Sequence, residues 1–353
     1  MGHRAGFIWT AVFGAFVLGC GSSGDSGGRG SVPVLQGEAA IEAGAAAAVG
    51  LSDAIRMMLI DPALAGDPMT SETATAARRS RSVGSRAQVV ACPSGGSVDG
   101  ECREDGGRTI IRTNSQNCAS LVDEVVVVAD GRADLVLDGT GICGLATLPV
   151  GLSHTIEFRD FREEWRDGAV AVRAVEFGRM KLTRRPRAGG CSANEGETEY
   201  DGDVTLASEG VDMTLRMQGV AVEVSSQGDP CDEAAVVDGL IDVSDRSRGA
   251  RFVADLRAAH FMHRRVPGGA SEMAIDGVVD IDCVGEVLLS TSARLVLDGG
   301  SCPADGTLAI TVGGGATSSL RFGPSGMQLD YDGDGVADRT APTCGSESLE
   351  VCM

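Results

Sequence analysis

The chain is poor in lysine, histidine and aromatic residues. Lys181 is its one lysine, and the rest of its Lys/Arg total is arginine. Aromatics make up only 4% of the 353 residues, and Phe7, Trp9, Phe13 and Phe16 fall within the first nineteen. Large rings bury the most area per side chain. With so few, the core must rest on Val, Leu, Ile and Ala, which suits a thin, extended β structure better than a thick globule. Beyond His3 the imidazoles are His154, His260 and His263. On a strand, an offset of three sets His260 and His263 on opposite faces, which removes them as a metal pair. No Cys-x-x-Cys occurs, which argues against zinc and thioredoxin-like sites. Carboxylates are abundant, but none forms a recognisable acid/base pair, so a non-enzymatic role is expected. The formal net charge is −20; such a field repels nucleic acid, and DNA and RNA are set aside as partners.

What is present begins at the N-terminus. Arg4 supplies a short positive region, and Ala5–Gly19 carries no charge. That run is shorter than the ~20 residues of a spanning helix. It ends Val17-Leu18-Gly19-Cys20, which resembles the lipobox of bacterial lipoproteins, with valine where leucine is commoner. The resemblance implies cleavage before Cys20 and a diacylglyceryl group on its sulfur, a covalent lipid that tethers the chain to a membrane. No twin-Arg pair precedes the run, which implies Sec export, and Gly21 at the following position implies the outer membrane. Gly24-Asp25-Ser26-Gly27-Gly28 resembles the nucleophile motif of chymotrypsin-like proteases. It lies immediately after Cys20, with no folded body or His/Asp partner around it, so no protease site is expected.

Residues 1–19 thus read as a lipoprotein signal peptide and 20–35 as a Gly/Ser tether. Residues 36–62 read as a helical segment: Leu51, Ile55, Met58 and Leu59 fall at helical spacing, Ser52 and Asp53 are candidate caps, and Asp61-Pro62 closes it. Such a segment serves either as a lid or as a stalk helix packed on the body. Residues 63–104 read as a linker with Arg78, Arg79, Arg81 and Arg86 clustered. From 105 to 353 the texture is period-2 alternation in Val, Ile and Thr, with runs such as Glu124–Val128, Ala133–Leu137, Met213–Met217 and Val220–Val224. Among the Asp-Gly pairs, those that begin at 130, 167, 201, 238, 276 and 305 are nearly evenly spaced. Asp-Gly tolerates the positive φ of tight hairpin turns, and near-even spacing marks a repeated unit. The expected fold is mainly β: an antiparallel β-meander of repeated hairpins, as a half-barrel or sandwich, with a short N-terminal helical segment. The alternative is a β-solenoid.

Ten cysteines follow Cys20, at Cys92, Cys102, Cys118, Cys143, Cys191, Cys231, Cys283, Cys302, Cys344 and Cys352. An exported chain meets an oxidising compartment, so disulfides are expected. Sequence does not choose among the pairings. Neighbours in order are the simplest expectation: 92–102, 118–143, 191–231, 283–302 and 344–352.

The sharpest candidate site is Asp330-Tyr331-Asp332-Gly333-Asp334-Gly335-Val336-Ala337-Asp338. Carboxylates at positions 1, 3, 5 and 9 with glycine at 6 suit a structural calcium ion held by Asp330, Asp332, Asp334 and Asp338 and the Val336 carbonyl. The segment resembles the loops of thrombospondin type 3 repeats and dockerins, although position 12 is Ala341 and the bidentate acid is absent, leaving Glu347 or water to substitute. Trp165 with Phe158 and Phe161 suggests either a carbohydrate platform or core packing. The expected function is that of a membrane-anchored envelope lipoprotein with a structural or interaction role, its partner being another envelope protein. The alternative is a carrier or chaperone for lipid or other hydrophobic cargo.

Overall fold

The computed structural model describes residues 35–60, 88–122, 125–143, 152–168, 170–187, 191, 195–208, 211–227, 232–246, 250–265, 271–297 and 303–342. One helix, α1 (Glu38–Ile60), precedes sixteen strands. These are β1 (Gln88–Ala91), β2 (Ser97–Asp105), β3 (Arg108–Val122), β4 (Val125–Asp138), β5 (His154–Asp167), β6 (Val170–Pro186), β7 (Gly196–Ser208) and β8 (Val211–Gln227). They continue as β9 (Asp232–Asp245), β10 (Ala250–Arg265), β11 (Ser271–Ile281), β12 (Gly285–Leu297), β13 (Asp305–Val312), β14 (Thr317–Gly323), β15 (Gly326–Asp330) and β16 (Arg339–Ala341). All sixteen form one sheet in chain order, each antiparallel to its neighbours in sequence. The chain is therefore an open β-meander, as its alternation implies, and not a solenoid.

The sheet begins earlier than residue 105, because β1 and most of β2 lie in the stretch read as a linker. The strands are also longer than the alternating runs. Met213–Met217 and Val220–Val224 read as two strands but are two halves of β8. Between them Gly219 takes φ +58° and the pairing slips between Gln218 and Ala221. One extra residue shifts the alternation by one, which is what a β-bulge does.

Bulges of this kind also explain the Asp-Gly pairs. Of those six pairs, only Asp167-Gly168 lies at a hairpin turn, between β5 and β6. Asp130-Gly131, Asp201-Gly202, Asp238-Gly239 and Asp276-Gly277 lie in mid-strand, and Asp305-Gly306 opens β13. In three of these pairs the Asp carboxylate caps a bulge on the neighbouring strand. Asp130 Oδ1 accepts the Asn117 N–H at 3.1 Å, Asp238 Oδ1 that of Ala258 at 2.6 Å, and Asp276 Oδ1 that of Thr291 at 3.1 Å. Asn117 and Ala258 sit in the left-handed region, at φ +48° and +50°. The glycine leaves room for the bulged backbone: a Cβ on Gly131 would lie 2.1 Å from the Asp160 carbonyl oxygen, and one on Gly202 would lie 2.0 Å from that of Arg179. The periodic signal is real, but it marks a line of bulges that bends the strands, not their turns.

One face of the sheet is apolar. On β8, Met213, Leu215, Met217, Val220, Val222 and Val224 are buried, while Arg216, Gln218, Glu223 and Ser225 face outward. Helix α1 fills part of the inner face. Its residues from Glu42 to Ser52 are all buried, as expected of a helix enclosed on every side. It touches β9, β10, β11 and β13, and two glycines allow close approach: a Cβ on Gly44 would meet Ile310 at 3.3 Å, and one on Gly50 would meet the Phe252 ring at 3.1 Å. Ser52 is an interior residue and not a cap; its hydroxyl donates to the Ala48 carbonyl at 2.6 Å. Before α1, the Leu35 N–H donates to the Cys283 carbonyl at 2.8 Å, tying the segment to the turn between β11 and β12.

The disulfides correct the expected order. Cys92 pairs with Cys118, and Cys102 with Cys143, at Cα separations of 5.4 and 5.7 Å. Cys92 and Cys102 cannot meet, because Cys92 is at the β1–β2 turn and Cys102 is five residues up β2 from Ser97. At ~3.3 Å per residue that is roughly 17 Å of strand. The turn folds instead onto the far half of β3, where Ser94 N–H donates to the Ala119 carbonyl at 2.9 Å, and this brings Cys92 to Cys118. Cys191 and Cys283 are also disulfide-bonded. Cys20, Cys231, Cys302, Cys344 and Cys352 lie outside the described residues.

Candidate functional site: the acidic loop

The acidic segment links β15 to β16, and its first carboxylate organises it. Asp330, with a side chain only 3% exposed, accepts the Gly333 N–H at 2.7 Å on Oδ1 and the Gly335 N–H at 2.9 Å on Oδ2. Arg321 on β14 lies 3.6 Å from Oδ2 and also donates to the Gly335 carbonyl at 3.2 Å. Asp332 accepts the Asp334 N–H at 3.1 Å, and Asp338 accepts the Tyr331 N–H at 2.7 Å. Carboxylate oxygens of Asp330, Asp332 and Asp338 lie within 4.8 Å of one another. Each carboxylate has two oxygens and about four lone-pair sites, so amide bonds leave capacity for a cation.

Three of the four expected acids thus converge. Asp334 is not in that group; its Oδ1 accepts the Val336 N–H at 2.7 Å, and Val336 is 65% exposed. Ala341, at position 12, is buried in β16 and supplies no acid. Glu347, the substitute ligand, lies outside the described residues. An all-oxygen set of this kind suits a hard cation, Ca²⁺ or Mg²⁺, and not a thiophilic metal.

The sequence reading missed how this loop is joined to α1. Glu42, 5% exposed, accepts the Tyr331 hydroxyl and pairs with Arg339. Burial, followed by the bond to Glu42, pushes the Tyr331 phenol up to about 12, and Glu42 raises the Arg339 guanidinium as well. The one available signal was Glu42 itself, an acid set in an alanine run.

The other candidates fall apart as sites. Phe158 stacks on Phe177 at 4.3 Å and packs with Phe161 in the core. The Trp165 ring lies under the Arg173 guanidinium at 4.5 Å. His260 and His263 both fall in β10, and His154 is on β5. Comparison of the chain with family models, curated proteins and solved structures finds no match.

Proposed function

We propose that the protein is a lipid-anchored component of a bacterial envelope, in the outer membrane, with a structural or interaction role. The lipobox-like Val17–Cys20 followed by a Gly/Ser tether carries this reading. The body's polarity supports it. A barrel that spans a membrane turns its apolar residues outward to lipid, whereas β8 turns them inward. That polarity suits a body held in water beside the membrane. The cargo-carrier alternative loses ground, because α1 occupies inner-face surface that a hydrophobic ligand would need. Cys20→Ala should move the protein from the membrane fraction to the soluble fraction; a variant that stays with membranes through a salt wash would refute the anchor.

We further propose that the acidic loop takes a structural calcium ion between Asp330, Asp332 and Asp338. A ligand present at 100 times its Kd stabilises by about 2.7 kcal/mol, so calcium should raise the melting temperature by several degrees. Asp332→Asn is the better test than Asp330→Asn, because Asp330 holds the loop amides with or without a metal. The calcium-dependent rise should vanish in Asp332→Asn, and a wild type indifferent to calcium would sink the proposal.

A further inference from the structure

Three arginines stand side by side on the outer face. Pairing aligns Arg132 of β4 with Arg159 of β5, and Arg159 with Arg179 of β6. Directly opposed residues have Cβ atoms ~4.5–5.5 Å apart, and like charges there destabilise a sheet. A protein of net charge −20 has no shortage of acids with which to break such a row. The next row is mixed in sign, running Asp134, Glu157, Lys181, Asp201, with Lys181 between two acids. The arginines are unequally compensated. Arg132 is held by Asp134 at 2.6 Å, and Arg159 meets Glu157 at 3.4 Å with both half exposed. Arg179 and Lys181 have no ion-pair partner among the described residues.

The unpaired cations line a depression. Where the β6–β7 pairing slips past Phe177, a groove of about 590 Å³ opens. Arg159, Arg179 and Lys181 line it, together with Glu157, Asp160 and Asp201. That volume falls in the range of small-molecule sites. Two guanidinium forks and an ammonium within one groove suit a phosphate. Carboxylates act only as acceptors, and those of Asp160 and Asp201 suit hydroxyl donors.

We propose that this groove binds a phosphorylated polyol: Arg159, Arg179 and Lys181 hold the phosphate, and Asp160 and Asp201 accept from the ligand's hydroxyls. The site depends on neither the lipid anchor nor the acidic loop. Its ligand is either a free sugar phosphate or the headgroup of a phosphorylated inositol lipid.

The test uses the full chain at constant ionic strength. Glucose 6-phosphate is titrated calorimetrically, with glucose as the control. In parallel, the chain is sedimented with phosphatidylcholine vesicles with or without phosphatidylinositol 4-phosphate. Saturable binding in either arm, weakened at least ~tenfold by Arg179→Gln and unchanged by Arg251→Gln on β10, supports the site, and the responding arm names the source. One arginine fork on a phosphate contributes at least that factor. No binding in either arm, equal binding of glucose, or equal losses in both variants overturns it. A second readout separates binding from architecture. Without ligand, Arg179→Gln removes a like-charge contact and should melt no lower than wild type; a loss of several degrees would show that the row serves the sheet, and would overturn the proposal.

Discussion

Gly202→Ala is expected to cost the protein about 3–5 kcal/mol, a large part of the ~5–15 kcal/mol that holds a typical fold together. Gly202 lies in the middle of β7 at φ +122°, and a Cβ there would lie 2.0 Å from the Arg179 carbonyl oxygen. The obstacle is backbone, so no side-chain rotation relieves it; β6 and β7 must separate where the sheet bends. Gly106→Ala provides the comparison. Gly106 also has a positive φ, +58°, but its Cβ would meet nothing within 4 Å. That change should cost only ~1 kcal/mol, the conformational penalty alone. Urea unfolding of both variants decides the matter, and similar midpoints for the two would refute the role assigned to the bulge line.

Glu163→Gln is expected to stabilise the protein at pH 8 by up to about 3 kcal/mol and to have little effect near pH 4, taking 1.36 kcal/mol per unit of pKa. Glu163 lies on the buried face of β5, 5% exposed, between Ala129 of β4 and Val175 of β6. Trp165 and Arg173 are the next residues along that face. Burial raises its carboxyl from 4.5 to about 7. The folded state therefore holds this proton more tightly than the unfolded chain does. Its favourable contribution is complete below about pH 4.5 and is lost as the pH rises through about 7. Glutamine cannot ionise, so the difference between variant and wild type should open across that window. Parallel stability curves from pH 4 to 8 would show that Glu163 is not the group responsible.

The meander was legible because half-buried antiparallel strands print a period-2 pattern, and in β8 that pattern can be read residue by residue. The strand lengths were not legible, since each mid-strand bulge inverts the phase and imitates a strand boundary. The same ambiguity misplaced the Asp-Gly pairs: a residue pair suited to positive φ serves a turn and a bulge equally well, and only register separates them. The helical segment was visible from Leu51 and Ile55, but its enclosure was not, because alanine is compatible with a surface stalk and with a tightly packed interior. In the acidic loop, alternate spacing brought Asp330 and Asp332 together, and Asp338 joined them through its bond to the Tyr331 N–H. Nothing local could reveal Arg339 and Glu42, or the alignment of Arg132, Arg159 and Arg179, which arises only when three strands are paired.

The enclosed helix sets an order of events during folding. Every strand pairs with its neighbour in sequence, so the hairpins close short loops and can zip up locally. Helix α1 is the first described element, yet its seat lies on β9 to β13, and Glu42 meets Tyr331 at a distance of 289 residues along the chain. The helix is thus made before its seat and housed late. Until β13 to β16 exist, the alanine surface of α1 has only β9 to β11 to cover it, and β13, the strand it touches most, is missing from its seat. Chains cut short before Asp305 should therefore aggregate or be degraded in proportion to that uncovered helix, even though most of their hairpins are complete.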